Sequence, residues 1–308
     1  QAIRVPVIAF STMTERGAST TLEALSLGAA DYVTKPSTLK GGLNVTDTIR
    51  GMLIPKIKAL VERRYARGLL QTDKKPTPII QRPVYKPLTK QATKSKFVAK
   101  KINKIYAPPK PKVIPAFTKV ANISILAIGS STGGPNALAT VLGALPGNIS
   151  IPIVLVQHMP PIFTKIMAER LTSNREFVVN EAKHGDYLQP GHVYVAPGDY
   201  HMIVAKNADG RSFIKLNQEE PENSCRPAVD VMLKSVADNY GSNVLVVILT
   251  GMGRDGTVGC EKVKKNGGKI LVQDEESSVV WGMPGYVFKS GLAEKAVPLN
   301  DMANAIMQ

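Results

Sequence analysis

Residues Ile125 to Leu145, "ILAIGSSTGGPNALATVLGAL", decide the fold. An apolar, β-branched run passes through small residues, two glycines and a proline directly into an apolar pattern of helical spacing. This is the opening of a βαβ unit. Downstream the same alternation continues. The short strand-like runs "IPIVLVQ", "HVYVAPG", "NVLVVILTG" and "KILVQD" are interleaved with the helical patterns "IFTKIMAERL", "PAVDVMLKSVADNY" and "TVGCEKVKKNG". The expected class is α/β, a Rossmann-like domain with a largely parallel sheet and helices on both faces. Ligands of such sheets bind beyond the carboxyl ends of the strands.

The first of those strand ends reads Gly129-Ser130-Ser131-Thr132-Gly133-Gly134. A dinucleotide turn, G-x-G-x-x-G, needs glycine where Ser131 stands and an acidic residue about 20 positions on. Glu169 is the only Asp or Glu between Gly134 and Arg170, and no lysine follows the glycines as in a phosphate loop. The turn instead spells G-x-S-x-G around Ser131, a serine exposed at the top of a sheet. Serine is equally an ordinary helix N-cap.

Two further strand ends bear on that choice. "IPIVLVQHMPP" places His158 at the end of a buried run stopped by prolines, whereas His184, His192 and His201 lie in turns or at a strand start. The longest apolar run, "NVLVVILTGMGRDG", ends in a loop whose acidic residue is Asp255. Its alternative use is as an N-cap at the start of "GTVGCEKVKK". Together Ser131, His158 and Asp255 are a nucleophile, a base and an orienting carboxylate. With histidine's ordinary pKa of about 6.5, activity would rise around pH 6 to 7. The order Ser, His, Asp differs from that of α/β-hydrolases.

Charge is unevenly distributed. The chain carries a formal +15, with 23 basic and 6 acidic residues in 1–122 but 16 basic and 18 acidic in 123–308. Residues 71–122 alone hold 13 basic side chains, one acidic one (Asp73) and eight prolines. Such a segment reads as a flexible, basic, Pro-rich linker, either merely solvated or contacting an acidic partner. No apolar run approaches the roughly 18 to 20 residues that span a bilayer. Cys225 and Cys260 show no metal-ligand spacing and read as reduced thiols.

Six stretches, "IGSSTGGP", "QHMPPIFTKIMAERL", "LQPGHVYVAPGDYHM", "RPAVDVMLKSVA", "VILTGMGRDG" and "WGMP", together resemble the catalytic domain of the chemotaxis protein-glutamate methylesterases, the CheB family. Matched motif by motif, the resemblance implies Ser131, His158 and Asp255 as catalytic triad and the Met252 backbone N–H in the oxyanion hole. Thr132, after the nucleophile, is a second candidate donor from helix N-terminal geometry. The stretch "VPVIAFSTMTERGASTTLEALSLGAADYVTKPS" is similar to the closing part of a flavodoxin-like response-regulator receiver domain. There Ser11 would be the switch hydroxyl, Tyr32 the switch aromatic and Lys35 the phosphoryl-contacting lysine.

The expected organisation is therefore a receiver portion at 1–70, a linker at 71–122 and a methylesterase domain at 123–308, with the chain truncated inside the receiver. The implied activity is hydrolysis of glutamyl methyl esters, with deamidation of glutamines as a side activity. Implied partners are the cytoplasmic helices of methylated chemoreceptors and, for a full-length protein, a chemotaxis histidine kinase. A cytoplasmic monomer is expected, with no nucleic acid, no membrane insertion, no metal and no cofactor, Mg belonging only to an intact receiver. A nucleotide- or nucleic-acid-binding regulator is the alternative. The strands "VPVIAF" and "DYVTKP" are expected to have lost their packing partners and to be loosely held, so that deleting 1–122 changes the rate less than about threefold.

Overall fold

The computed structural model describes residues 5–35, 45–66, 123–172 and 178–308, and the linker expected over 71–122 lies outside these described residues. The amino-terminal unit begins with strand β1 (Ile8–Ser11), helix α1 (Glu15–Ser26) and strand β2 (Asp31–Thr34). The two strands pair in parallel with Ser11 opposite Thr34. Thr14 caps α1, its hydroxyl accepting from the Gly17 N–H at 3.1 Å. Helix α2 (Val45–Ala66), with Pro55 inside it, follows.

The second half begins with β3 (Ile125–Ser130), α3 (Gly134–Ala144), β4 (Ile153–Gln157) and α4 (Phe163–Thr172). Strands β5 (Val178–Glu181) and β6 (His192–Val195) come next, then β7 (His201–Lys206) and β8 (Ser212–Asn217), which form a separate antiparallel hairpin. The chain closes with α5 (Val229–Tyr240), β9 (Val244–Ile248), α6 (Thr257–Lys265), β10 (Lys269–Gln273), α7 (Met283–Lys289), β11 (Lys295–Val297) and α8 (Met302–Ile306). Among the described residues, seven strands make one sheet in the order β11-β10-β9-β3-β4-β6-β5, every pairing parallel. The alternation read from the sequence is thus an α/β parallel sheet.

Strand periodicity sorts the core into two layers. Leu126 and Ile128 of β3 face a cluster with Leu138, Phe163 and Met167 from α3 and α4, while Ile125 and Ala127 face Val229, Met232, Leu233 and Cys260 from α5 and α6. Chain order reverses around β3, which has β4 on one side and β9 on the other. In open α/β sheets ligands bind at such a reversal, at the carboxyl ends of the strands.

The expectation of a loosely held amino-terminal unit needs correction. Ala18, Leu22, Leu25 and Tyr32 belong to the same buried cluster as α3 and α4. Tyr32 stacks on Phe163 with centroids 4.9 Å apart and planes 8° from parallel. Burying each of the two leucines contributes about 1.5–3 kcal/mol. Polar contacts cross the same boundary: Asn136 donates to the Leu25 carbonyl at 2.7 Å and Arg170 to the Ser19 carbonyl at 2.7 Å. The carboxy-terminal half supplies the partner that β2 and α1 need. At β1 and just before it the expectation fits better, since Phe10 on the strand and Val5 and Val7 ahead of it are exposed.

Candidate active site

The β3–α3 corner is built by glycine. Gly133 adopts φ 79° as the N-cap of α3, and a Cβ there would lie 2.5 Å from Val279 Cβ. The left-handed backbone and this close approach both exclude a side chain. Because the cap is glycine, no side-chain hydroxyl is used in capping α3.

The two serines at this corner have different environments. Ser130 is fully buried and its hydroxyl donates to Gln157 Oε1 at 2.7 Å. Gln157 Nε2 in turn donates to the Ser131 carbonyl at 2.9 Å and the His158 carbonyl at 3.3 Å. This amide ties the ends of β3 and β4 together. Ser131 is partly exposed, its N–H donating to the Thr250 carbonyl at 3.1 Å, and among the described residues its hydroxyl has no hydrogen-bond partner.

Ser130 and Gln157 are opposite each other in the β3–β4 register, so Ser131 and His158 are the next residues on adjacent strand ends. Asp255 arrives from the far side of β3, in the loop after β9. His158 Nε2 lies 2.8 Å from Asp255 Oδ2, so the pair reaches across the end of the strand that carries Ser131. The structure joins His158 to Asp255; among the described hydrogen bonds it does not join Ser131 to either.

Asp255 is buried and accepts from five donors: the His158 ring, the Val229, Asp230 and Gly256 amides, and the Asn223 side chain. The cap it provides is therefore to α5, not to α6, whose N-cap is Gly256. Burial alone would raise its pKa, but the His158 hydrogen bond and charge and the two α5 amides hold it below the ordinary carboxylate value. Its buried neighbour Asp230 is pushed upward, first by burial and then by the Asp255 charge, against the Gly259 N–H and the Asn223 amide.

For His158, burial favours the neutral ring. The Asp255 hydrogen bond and the contact of Cys225 with Nδ1 outweigh it and hold the pKa well above 6.5. The sequence alone, using the ordinary histidine value, places this titration too low.

The loop carrying Met252 packs directly on the corner: a Cβ on Gly251 would lie 2.9 Å from Ser131 Cβ. Among the described hydrogen bonds, neither the Met252 nor the Thr132 N–H has an acceptor. The Thr132 hydroxyl donates at 2.6 Å to Asp31 Oδ2 of the amino-terminal unit, and Lys56 Nζ sits 2.6 Å from the same oxygen. Within that unit the Lys35 N–H donates to the Ser11 carbonyl at 2.6 Å, bringing Ser11 and Lys35 together at the ends of β1 and β2. Tyr32 lies apart, on Phe163.

Three residues emerge only from the fold. Asn223 bridges Asp230 and Asp255 at 2.9 and 3.0 Å from a turn in which it and Ser224 both have positive φ. The motif "RPAVD" already contained Asp230, but not its contact with Asp255. Cys225, expected to be an ordinary thiol, has its Sγ 3.6 Å from His158 Nδ1. His158, Cys225 and Asp255 offer metal-ligating atoms within 4.8 Å of one another. His201, by contrast, is buried and engaged by the Glu220 carbonyl and the Ala228 N–H.

A doubly wound parallel sheet with a polar cluster at its switch point defines an α/β protein with a ligand site at that edge. Its particular kind follows from likeness to known proteins. Residues 126–306 match the CheB methylesterase family, and the chain belongs to that family. It is accordingly a hydrolase. It is 42% identical over 306 residues to a protein-glutamate methylesterase/protein-glutamine glutaminase of Trichodesmium erythraeum (strain IMS101), covering 99% of this chain and 78% of that one. A protein of the same name from Maricaulis maris (strain MCS10) is 43% identical over 310 residues, covering 98% and 76%. The crystal structure of the Thermotoga maritima CheB methylesterase catalytic domain superposes with a TM-score of 0.59 at 45% identity, over 60% of this chain and 97% of that one. Among the described residues no helix is long and apolar enough to cross a membrane.

Proposed function

We propose that the chain hydrolyses glutamyl methyl esters, and deamidates glutamines, on the cytoplasmic helices of chemoreceptors. Ser131 is the nucleophile, His158 the base and Asp255 the carboxylate that orients the ring. The observation that carries this reading is the 2.8 Å His158–Asp255 pair spanning the strand end at Ser131. With Nε2–H held by Asp255, Nδ1, which faces Cys225 Sγ at 3.6 Å in this structure, is the nitrogen that must accept the Ser131 proton. The serine oxygen attacks the ester carbonyl, and the Met252 and Thr132 N–H groups face the oxyanion that develops. The imidazolium then returns the proton to the methoxide, and methanol leaves. Water repeats the cycle on the acyl-enzyme and restores the glutamate. An amide follows the same path with ammonia as the poorer leaving group.

Residues 1–70 act as the closing part of a receiver domain that shields this site. The Asp31–Thr132 contact supports that reading, because it ties the unit to the residue after the nucleophile. The setting is the cytoplasm, with a chemotaxis histidine kinase upstream of an intact receiver. Methanol release from methylated receptor membranes tests the activity, and labelling by a fluorophosphonate tests the residue. Labelling that persists in Ser131→Ala would refute the assignment of the nucleophile.

A further inference from the structure

His158 and Cys225 are 67 residues apart in sequence, which is why no ligand motif is visible there. In the fold, Cys225 Sγ stands 3.6 Å from the ring nitrogen that Asp255 leaves unused. A tetrahedral zinc bound by thiolate and imidazole, with Zn–S about 2.3 Å and Zn–N about 2.0–2.1 Å, separates its sulfur and nitrogen by about 3.5–3.6 Å. The gap already has the span of such a pair of ligands. The other face of the ring completes the pattern: a metal-bound histidine commonly gives its second N–H to a carboxylate, which fixes the tautomer and raises its basicity. Asp255 does this at 2.8 Å.

We propose that Cys225 Sγ and His158 Nδ1 form a binding site for a thiophilic divalent cation of the zinc and cadmium class. Asp255 is the outer partner and not a third ligand, because it lies on the Nε2 side and its oxygens already accept from five donors. Cys225 and His158 are both partly exposed, so the remaining tetrahedral positions open to water. Binding replaces the thiol proton and, where the ring is charged, the Nδ1 proton with S–metal and N–metal bonds, and both protons leave to solvent. It also occupies the Nδ1 lone pair. Resting on the esterase reading above, metal occupation therefore stops hydrolysis, reversibly.

The test is a titration of the intact chain with cadmium in a phosphine reductant, followed by the thiolate-to-cadmium charge-transfer absorbance. One equivalent is expected to develop the band. Cys225→Ser should abolish it, and Cys260→Ala should retain it, since Cys260 is buried in the core. His158→Gln should weaken binding by at least about tenfold, the lower end of what losing even an outer partner costs. A band that survives Cys225→Ser, or none at millimolar cadmium, overturns the site. Hydrolysis measured in parallel should fall with the same midpoint and return with chelator. If cadmium binds at Cys225 while hydrolysis continues at full rate, the metal site stands and His158 as the base falls.

Discussion

Two corners of this chain share one syntax. "VIAFSTMTERGAST" (Val7–Thr20) and "LAIGSSTGGPNALAT" (Leu126–Thr140) each run an apolar strand through hydroxyl residues into a helix. In the first, the hydroxyls between strand and helix, Ser11, Thr12 and Thr14, are used locally. Thr14 caps α1, and the buried Ser11 hydroxyl donates to the Gly17 carbonyl at 3.0 Å. In the second, glycine caps the helix, Ser130 is taken by Gln157, and the partly exposed Ser131 hydroxyl keeps no partner among the described residues. A serine becomes available for chemistry when other groups satisfy the backbone around it.

The sharpest way to break this comparison is to remove each hydroxyl in turn. Ser131→Ala should lower methanol release by at least about three orders of magnitude with the fold intact, because triad members act as a unit. Ser130→Ala leaves Gln157 Oε1 unsatisfied in the core and should cost about 1–3 kcal/mol of stability while retaining most activity. Ser11→Ala should change neither by much. If Ser130 proved the essential hydroxyl, the distinction between the two corners would be wrong.

The next largest effect concerns the carboxylate that reaches across β3. Asp255→Asn should slow hydrolysis by about 10^4-fold through the wrong histidine tautomer. The same substitution replaces an acceptor for the α5 amides, so a melting curve should fall as well. A full rate in Asp255→Asn would separate the His158–Asp255 pair from catalysis.

Much of this architecture was legible because β periodicity is local: the apolar runs end where β3, β4 and β9 end, which put Ser131, His158 and Asp255 on one edge. The contacts that tune the site were not legible. Asp255 caps α5 across the chain, Cys225 meets His158, and Asp31 meets Thr132 from 101 residues away. Such pairings depend on how elements dock, and no spacing rule encodes that. The acidity of His158 shows the consequence. A base must be neutral, and the Asp255 and Cys225 contacts hold this ring's pKa above 6.5. The rate should therefore climb with pH along a limb whose midpoint lies above about 7, not between 6 and 7. A profile measured with chelator present and already level by about pH 6.5 would contradict these contacts.

The smallest expected effect tests the two halves against each other. Were the amino-terminal unit unpartnered, deleting residues 1–122 would alter the rate by less than about threefold, under about 0.7 kcal/mol of barrier. The unit instead buries Leu22, Leu25 and Tyr32 against α3 and α4 and binds the Thr132 hydroxyl through Asp31. It stands beside the Ser131 corner, which on the proposed function a receptor helix would have to approach and a small ester would not. Deletion should therefore raise hydrolysis of the receptor substrate by more than about threefold and that of a small methyl ester by less. Asp31→Ala should reproduce part of the gain, because Lys56 then loses its partner and Thr132 its acceptor. Equal rates on the receptor with and without residues 1–122 would mean that the docked unit leaves the approach open. The contrast between a shielding half and a reacting half would then have to be abandoned.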